Sequence, residues 1–383
     1  MKILITGGSG FIGSYLTDLL YHQGHEIFVI DNLLEQVHGK DKYNSFLFKS
    51  IIDKVNFFEE DITCSTSLEY LIGQVDYIVH LAAETGTGES MYNIFNYVKT
   101  NSLGTAYIIE QLLKNRNNVK KFILASSRAV YGEGKYKCSE HGIVYPNGRN
   151  IEDLIEGKYE LKCPFCRRDM IPLATDEVSE ICPKSVYGIS KFNQEQLTKL
   201  VCENAKIPYT IFRFQNVYGK GQSIRNPYVG ILSIFTTLCN ENKKIVIFED
   251  GLESRDFVHA SDVAGAIYSD IISEHSNQTY NVGSGISVTI LDIIRMLEDK
   301  FSHSPVYEIS GSSRIGDIRH NLADITKIST LLGFHPKIFL DEGLAELIDW
   351  IQNSHEDSIV KKYESSINEL KKMNLFIEMK NEV

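Results

Sequence analysis

Continuous apolar runs alternate with helical patterns along the first part of the chain. KILIT is a run of the kind found in strands buried on both faces, and SYLTDLLYHQGH after it repeats leucine at helical spacing. Further apolar runs follow at EIFVID, VNFFEED, VDYIVHLAA, KKFILASS and YTIFRFQ, with helical stretches between most of them. This alternation predicts an α/β fold, a Rossmann-type doubly wound parallel sheet with helices on both faces.

From about Gly219 the pattern loosens into loops, short helices and the strand KIVIFED. We interpret this part as a smaller C-terminal substrate lobe interleaved with the first domain. The predicted boundaries are 1–215 and 257–280 for the Rossmann domain, 133–176 for an insert within it, and 216–256 and 281–350 for the lobe.

A charged tail, residues 357–380, follows Trp350. Its apolar side chains recur at helical spacing, at Ile359, Tyr363, Ile367, Leu370 and Ile377. This stripe predicts an amphipathic helix, which either packs on its own subunit or contacts a partner.

The chain has 383 residues, with 39 basic and 50 acidic side chains and a net charge of −11 at pH 7. This excess of negative charge disfavours binding to nucleic acid and to anionic membranes. No stretch has the length and apolarity of a membrane span, and nothing near the start resembles a signal peptide. We therefore expect a cytoplasmic protein whose seven cysteines do not form a disulfide framework.

The stretch GGSGFIG joins the first predicted strand to the first predicted helix. Its glycines, Gly7, Gly10 and Gly13, allow a tight turn and open the backbone to a pyrophosphate at the helix N-terminus. Asp31 ends the second strand, where a carboxylate can bind a ribose and would repel a 2′-phosphate. The pattern predicts an NAD site and favours NAD over NADP. The alternative is a glycine-rich turn without a ligand.

The stretch SVYGISK places Tyr187 and Lys191 on one face of a helix. Tyrosine has an ordinary pKa of about 10, and a nearby ammonium group favours its deprotonated form. Such a pair can exchange protons with a substrate. The alternative interpretation is an ordinary pair of side chains on an exposed helix face. The stretch SSRAVYG, at the end of an earlier predicted strand, favours the catalytic interpretation.

Together these motifs resemble the extended short-chain dehydrogenase/reductase superfamily, within it the nucleotide-sugar epimerases and dehydratases. The resemblance rests on TGGSGFIG, HLAAETG, NSLGT, SSRAVYG, YGISK, RFQNVYG, RDFVHASD and RIGDIRHNLAD. It implies a catalytic trio of Ser127, Tyr187 and Lys191. It implies that the trio's tyrosine and lysine also contact NAD, together with Gly7, Gly10, Phe11, Ile12, Gly13, Asp31, Asn32, Asp61, Ile62, Ala82, Ala83 and Asn101.

The resemblance also implies a nucleoside-diphosphate sugar as substrate and a homodimer paired through helices of the dinucleotide domain. The implied substrate-binding residues are Thr87, Asn216, Arg255, Arg314 and Asp317. The guanidinium group of arginine can donate two parallel hydrogen bonds to a phosphate, which suits a diphosphate. For each arginine taken alone, the alternative interpretation is a surface ion pair.

The stretches NLLEQVHG, GESMYNI, NPYVGILSIF and IFEDG look most like the dTDP-L-rhamnose 4-epimerase group. A UDP-hexose 4-epimerase, a nucleotide-sugar 4,6-dehydratase and a non-catalytic NAD-binding regulator are the alternatives. Dehydratases of the superfamily carry acidic residues directly after the catalytic Ser or Thr, where this chain has Arg128 and Ala129. Neither can serve as acid and base for an elimination, so we expect epimerisation without dehydration.

The segment between Ser127 and Tyr187 is longer than these enzymes usually need. It contains CSEH and CPFC, which place Cys138, His141, Cys163 and Cys166 in two pairs separated by a loop. This spacing predicts a structural zinc knuckle. Chance cysteines on a loop are the alternative, and Cys182 could replace one ligand.

Overall fold

The computed structural model describes residues 1–115, 118–224, 226, 228, 230–354 and 360–379. Residues 357–359 and 380 of the predicted tail, with Ile359 of its apolar stripe, lie outside the described residues. So do Pro227 and Val229 of the stretch NPYVGILSIF.

The strands run from β1 at the N-terminus to β17 in the tail. They are β1 (Lys2–Thr6), β2 (Glu26–Asp31), β3 (Asn56–Glu59), β4 (Tyr77–His80), β5 (Lys121–Ser127), β6 (Tyr136–Cys138), β7 (Gly142–Val144), β8 (Met170–Pro172), β9 (Tyr209–Phe214), β10 (Asn216–Tyr218), β11 (Ile245–Ile247), β12 (Ser254–His259), β13 (Gln278–Val282), β14 (Ser287–Thr289), β15 (Tyr307–Ile309), β16 (Ser313–Arg314) and β17 (Phe376–Ile377).

The α-helices lie between these strands and after them. They are α1 (Phe11–His22), α2 (Glu35–His38), α3 (Phe46–Ile51), α4 (Leu68–Ile72), α5 (Thr87–Ser90), α6 (Ile94–Tyr97), α7 (Gly104–Lys114), α8 (Ile151–Ile155), α9 (Val186–Ala205), α10 (Ile231–Asn240), α11 (Ala260–Ile271), α12 (Ile290–Lys300), α13 (Thr326–Leu332), α14 (Leu340–Asn353) and α15 (Val360–Lys372). A π-helical segment, Val98–Leu103, joins α6 to α7, and short 3₁₀ helices cover Lys42–Asn44, Ile52–Lys54 and Arg128–Tyr131.

Seven parallel strands form the central sheet, in the order β13-β9-β5-β4-β1-β2-β3. Helices cover both faces, so the apolar runs are buried on both sides, as the zero exposure of Ile3, Leu4 and Ile5 illustrates. Helices α1 and α11 pack on one face, and α7 and α9 on the other. The predicted Rossmann-type α/β fold is confirmed.

The smaller lobe has its own apolar core, which α10, α12 and α14 build around β11 and Trp350. A three-stranded sheet, β10-β12-β14, connects the lobe to the end of the large sheet. Helix α13, from the stretch assigned to the lobe, packs against β13 and α11, and its Ile328 is fully buried. The two parts therefore interleave over the last third of the chain.

The insert folds around a three-stranded antiparallel sheet, β7-β6-β8. Its small core combines Tyr136, Val144, Leu161 and Met170 with cysteine side chains. So few apolar side chains bury little area for a segment of this length, and a further constraint would stabilise it.

The described part of the tail packs on its own subunit. Tyr363 joins the lobe core, Leu370 is buried, and β17 pairs with β16, with Phe376 opposite Arg314. Among the residues that the structure describes, no helix combines the length and the apolarity that crossing a membrane requires.

Candidate active site

A cavity of about 460 Å³ lies at the carboxyl ends of the central strands, between the sheet and the lobe. The loops after β1, β2, β4 and β5 form one side, and α9, β10, β12 and the loop after β16 form the other. Ligands of doubly wound sheets bind at this edge, where the strand order reverses. The cavity is therefore the candidate active site.

The glycine-rich turn after β1 forms one end of the cavity. Helix α1 begins at Phe11, directly after this turn, so its first N–H groups have no partner within the helix. A Cβ atom at Gly13 would collide with the carbonyl oxygen of Gly7, so only glycine allows the helix to approach the turn this closely. The bare backbone and the free N–H groups fit the pyrophosphate of a dinucleotide.

Asp31 ends β2 beside this turn and lines the cavity. Its two carboxylate oxygens accept hydrogen bonds from the backbone N–H groups of Ser9, at 3.0 Å, and Leu33, at 2.9 Å. Burial raises the pKa of Asp31, and these backbone hydrogen bonds counteract the shift. The carboxylate is thus held in place with lone pairs left over for ribose hydroxyl groups. The turn and Asp31 together fit NAD.

Most of the other residues predicted to bind the cofactor also line the cavity, namely Gly10, Phe11, Ile12, Asn32, Asp61, Ile62, Ala82 and Ala83. Asn101 is instead fully buried behind the wall. Its side chain donates to the Glu84 carbonyl oxygen, at 3.1 Å, and to the Ser190 hydroxyl, at 2.9 Å, and accepts from the Glu84 N–H. Asn101 therefore holds the loop after β4 against α9 and acts on the site through that loop.

Ser127 and Tyr187 face the same cavity from two elements. Ser127 is the last residue of β5, and Tyr187 lies in the first turn of α9. A Cβ atom at Gly188 would lie 2.6 Å from the Ala129 carbonyl oxygen, so glycine at this position lets α9 approach the turn after β5. Burial raises the pKa of Tyr187, whereas the hydrogen bond with Ser127 and the charge of Arg128 lower it.

Lys191 lies one helical turn after Tyr187 and is buried. Its ammonium group donates to the Ala125 carbonyl oxygen, at 2.8 Å, and lies 5.9 Å from the centroid of the Tyr187 ring. Burial lowers the pKa of Lys191 to about 7, and the charge of Glu195 counteracts the shift. A cation at this distance stabilises a phenolate, so Tyr187 can exchange a proton with a hydroxyl group bound in the cavity.

The five residues predicted to bind the substrate all line the cavity: Thr87, Asn216, Arg255, Arg314 and Asp317. Arg314 donates through Nε and Nη2 to the Asp317 carboxylate, at 2.8 and 2.7 Å, which fixes the guanidinium plane. Arg255 donates to the backbone carbonyl oxygens of Ser254, Ile318 and Arg319. Two guanidinium groups oriented in this way suit a diphosphate.

Three charged residues of the cavity wall, Glu60, Glu84 and Arg128, were not among the predicted site residues. Arg128 follows Ser127 and lines the cavity, although the sequence distinguished it only as a group unable to act as an acid or base. Glu84 lies in the motif HLAAETG, and burial together with the charges of Glu89 and Asp61 raises its pKa to about 6. Each of these residues lies directly beside a predicted site residue in the sequence, and this position could have indicated that it lines the site.

The Cys and His residues of the insert converge outside this cavity. The ligand atoms of Cys138, His141, Cys163 and Cys166 all lie within 4.8 Å of one another. Cys138 Sγ lies 3.6 Å from both His141 Nδ1 and Cys166 Sγ, close to the edge of a tetrahedron with metal–sulfur bonds of about 2.3 Å. Cys182 is not part of the cluster, because its thiol contacts the Asn147 side chain, at 3.3 Å.

Comparison with known proteins identifies the family. The model of the NAD dependent epimerase/dehydratase family matches residues 3–148 and 167–283. A dTDP-L-rhamnose 4-epimerase from Burkholderia thailandensis is 36% identical over 353 residues, which cover 91% of this chain and 94% of the relative. The unmatched residues between the two segments of the family model lie inside the predicted insert.

Two solved structures superpose on nearly the whole chain. UDP-glucuronic acid 4-epimerase from Bacillus cereus, in complex with UDP-glucuronic acid and NAD, gives a TM-score of 0.76 at 27% identity, over 92% of this chain and 99% of that chain. UDP-glucose 4-epimerase from Thermotoga maritima, with UDP-glucose, gives 0.74 at 28% identity, over 93% and 100%. The family model covers more than half of the chain and the dTDP-L-rhamnose 4-epimerase is 36% identical over most of it, so the chain belongs to the NAD dependent epimerase/dehydratase family.

Proposed function

We propose that the protein is a nucleotide-sugar 4-epimerase that interconverts dTDP-L-rhamnose and dTDP-6-deoxy-L-talose. The observation that carries this proposal is the placement of Ser127 and Tyr187 at one cavity wall, followed by Arg128 and Ala129 instead of acidic residues. The 36% identity to a dTDP-L-rhamnose 4-epimerase supports the substrate.

The reaction needs a proton to leave the 4-hydroxyl oxygen and a hydride to leave carbon 4 of the sugar, and both to return. Tyr187 takes the proton of the 4-hydroxyl group, and Ser127 hydrogen-bonds to the same oxygen as it becomes a carbonyl oxygen. The glycine-rich turn and Asp31 would hold NAD, which would supply the acceptor and donor of the hydride at carbon 4. Lys191 stabilises the deprotonated Tyr187, and after the sugar has turned over Tyr187 returns the proton.

Turnover with a panel of nucleotide sugars tests this proposal. We expect dTDP-L-rhamnose to give an equilibrium mixture with dTDP-6-deoxy-L-talose, with no added cofactor once the purified protein is loaded with NAD. UDP-glucose, UDP-glucuronic acid and dTDP-glucose are the comparison substrates. Conversion of none of them by NAD-loaded protein would favour a non-catalytic NAD-binding regulator.

A UDP-hexose 4-epimerase is the second candidate. The superposition on epimerases with bound UDP-glucuronic acid and bound UDP-glucose favours it, and the catalytic residues would act in the same way. Epimerisation of a UDP-hexose at a kcat/KM more than tenfold above that for dTDP-L-rhamnose would select this candidate.

We propose further that the Cys/His cluster binds one structural zinc ion through Cys138, His141, Cys163 and Cys166. The near-tetrahedral separation of the four ligand atoms supports this, as does the small core of the insert. Purified protein should contain about one zinc per chain by elemental analysis, and Cys166→Ser should lose it. Cys182→Ser is the matched control and should retain the metal. Metal-free protein purified without a chelator under reducing conditions would refute the site.

We propose that two chains pair through the helices beside the active site. Large apolar side chains are exposed on neighbouring surfaces of α6, the π-helical segment and α9, namely Phe95, Val98, Leu103 and Ile189. Burying such a patch in a homodimer removes apolar area from water. Light scattering at micromolar concentration should give twice the mass of one chain, and Phe95→Asp should give monomers. A monomeric wild-type protein would contradict the dimer.

A further inference from the structure

Arg128 projects a guanidinium group into the active-site cavity without a partner. It begins the 3₁₀ helix directly after Ser127 and is half-buried. No residue that the structure describes makes a hydrogen bond or an ion pair with this guanidinium. Other buried arginines of the chain have such partners, as Arg213 has in Glu195 and Arg319 in Asp250. The carboxylates of Asp317 and Glu133 act on Arg128 only through their charge, without a hydrogen bond or an ion pair. A half-buried cation that lacks a direct counter-ion is costly unless a ligand supplies one.

A second guanidinium of the same wall also has no carboxylate partner among the described residues. Arg255 donates only to backbone carbonyl oxygens, at 2.8 to 3.0 Å, although it faces the same cavity. Arg128 and Arg255 are close enough for their charges to repel. Two like charges that converge on one cavity are stable together when an anion lies between them.

We propose that Arg128, together with Arg255, binds the sugar-linked phosphate of the nucleoside-diphosphate sugar. This inference rests on the proposed function. Arg128 is the charged residue next to Ser127, so it lies toward the reacting end of the substrate, whereas Arg255 and Arg314 come from the lobe. Of the two phosphates, the one attached to the sugar lies nearer to the reacting carbon and is the one Arg128 would reach.

This contact has a purpose in a 4-epimerase. The oxidised sugar must turn over between the outward and the return transfer of the hydride, so the ring cannot be held tightly, whereas its phosphate can. Arg128 can serve as a permanent cation, because burial together with the charge of Arg255 lowers its pKa only to about 10. It would therefore anchor the phosphate and leave the ring free to turn.

Binding of nucleotides to the NAD-loaded protein tests this role without requiring turnover. By calorimetry, Arg128→Gln should bind dTDP and UDP at least tenfold more weakly than the wild type, and dTMP and UMP less than threefold more weakly. Arg128→Lys, which keeps the charge but not the fork, should show a smaller loss. The control is Arg295→Gln, whose guanidinium is exposed on α12, and it should bind all four nucleotides like the wild type.

Two outcomes would overturn the role of Arg128. If Arg128→Gln kept its NAD content and bound dTDP and UDP with unchanged affinity, Arg128 would not be a phosphate-binding residue. A loss confined to UDP-glucuronic acid, with UDP-glucose unaffected, would assign it to a sugar carboxylate instead. If the wild-type protein bound neither diphosphate, the proposed function itself would fail, independently of Arg128.

Discussion

At the scale of single residues, burial and neighbouring charges determine which groups can move protons. Tyr187 and Lys191 are both shifted by burial, the pKa of the phenol upward and that of the ammonium downward. Burial thus disfavours both the phenolate of Tyr187 and the ammonium form of Lys191. At Tyr187, the hydrogen bond with Ser127 and the charge of Arg128 lower the pKa again and favour the phenolate. The site thus combines an apolar interior with a few polar groups that stabilise the charge at one oxygen.

Replacing Tyr187 with Phe should separate binding from chemistry. The ring is kept, so bound NAD should equal that of the wild type, whereas kcat should fall by about 10²–10⁴ because the acid/base group is lost. Tyr70→Phe, at an exposed tyrosine that does not line the cavity, is the control for both measurements. A Tyr187→Phe variant with a kcat near that of the wild type would refute the assigned role.

His80 should make the protein less stable in acid. It is fully buried between the hydroxyl groups of Thr6 and Thr105, at 2.7 and 2.8 Å, and burial together with the charge of Lys191 lowers its pKa to about 3. Between pH 3 and 6.5 the unfolded chain therefore binds a proton that the folded chain excludes, so stability falls as the pH falls through this window. The loss is about 2 kcal/mol between pH 6.5 and pH 5.

Urea unfolding of the wild type and His80→Gln at several pH values measures this contribution. Buried carboxyl groups with raised pKa values, such as Asp270, act in the opposite direction in both proteins. The difference between the two proteins therefore isolates His80, and it should shrink by about 2 kcal/mol toward pH 5. A difference that is independent of pH would contradict the prediction.

At the scale of elements, buried ion pairs and hydrogen bonds link the insert to the smaller lobe beside the cavity. Arg149 lies between Glu133 and Glu249, and its guanidinium donates to the Asp317 carbonyl oxygen, at 2.9 Å. Its side chain is only 5% exposed. The loop that carries Asp317 is thus supported from behind by the insert.

Arg149→Gln should destabilise the protein and weaken substrate binding. It leaves the buried Glu133 without its ion-pair partner, at a cost of about 3–5 kcal/mol, whereas Glu249 keeps its pair with Arg319. It also releases the loop of Asp317. We expect a lower urea midpoint and a higher KM for the nucleotide sugar. Arg167→Gln, which removes an exposed pair with Asp153 in the same insert, should change the free energy of unfolding by less than about 1 kcal/mol. Equal effects of the two substitutions would contradict this account.

At the scale of the whole molecule, the local features were predictable from the sequence and the long-range pairings were not. Gly13 and Tyr187 lie in short motifs whose conformation depends on neighbours in the chain, so their environment could be predicted. The pairing of β17 with β16 joins residues more than sixty positions apart, and two-residue strands carry no periodicity. Asn101 was predicted at the cofactor because its motif is at the site, but whether a side chain enters a cavity depends on packing from several elements.

The position of the tail is a second long-range feature that could not be predicted from the sequence. Its apolar stripe predicted an amphipathic helix, but the stripe alone left open which surface that helix covers. In the structure Glu369 accepts hydrogen bonds from Tyr92, at 3.0 Å, and Tyr228, at 3.2 Å, and Tyr228 lines the cavity. The tail thus packs beside the cavity.

The central claim is that a hydride leaves carbon 4 and returns to it inside the cavity while Tyr187 handles the one proton that exchanges. The most direct test is to run the reaction in deuterated water with dTDP-L-rhamnose and to analyse the product by NMR and mass spectrometry. We predict dTDP-6-deoxy-L-talose with no deuterium on any carbon. Deuterium at carbon 5 or 6, or a 4-keto-6-deoxy product from a 6-hydroxylated sugar, would contradict the account.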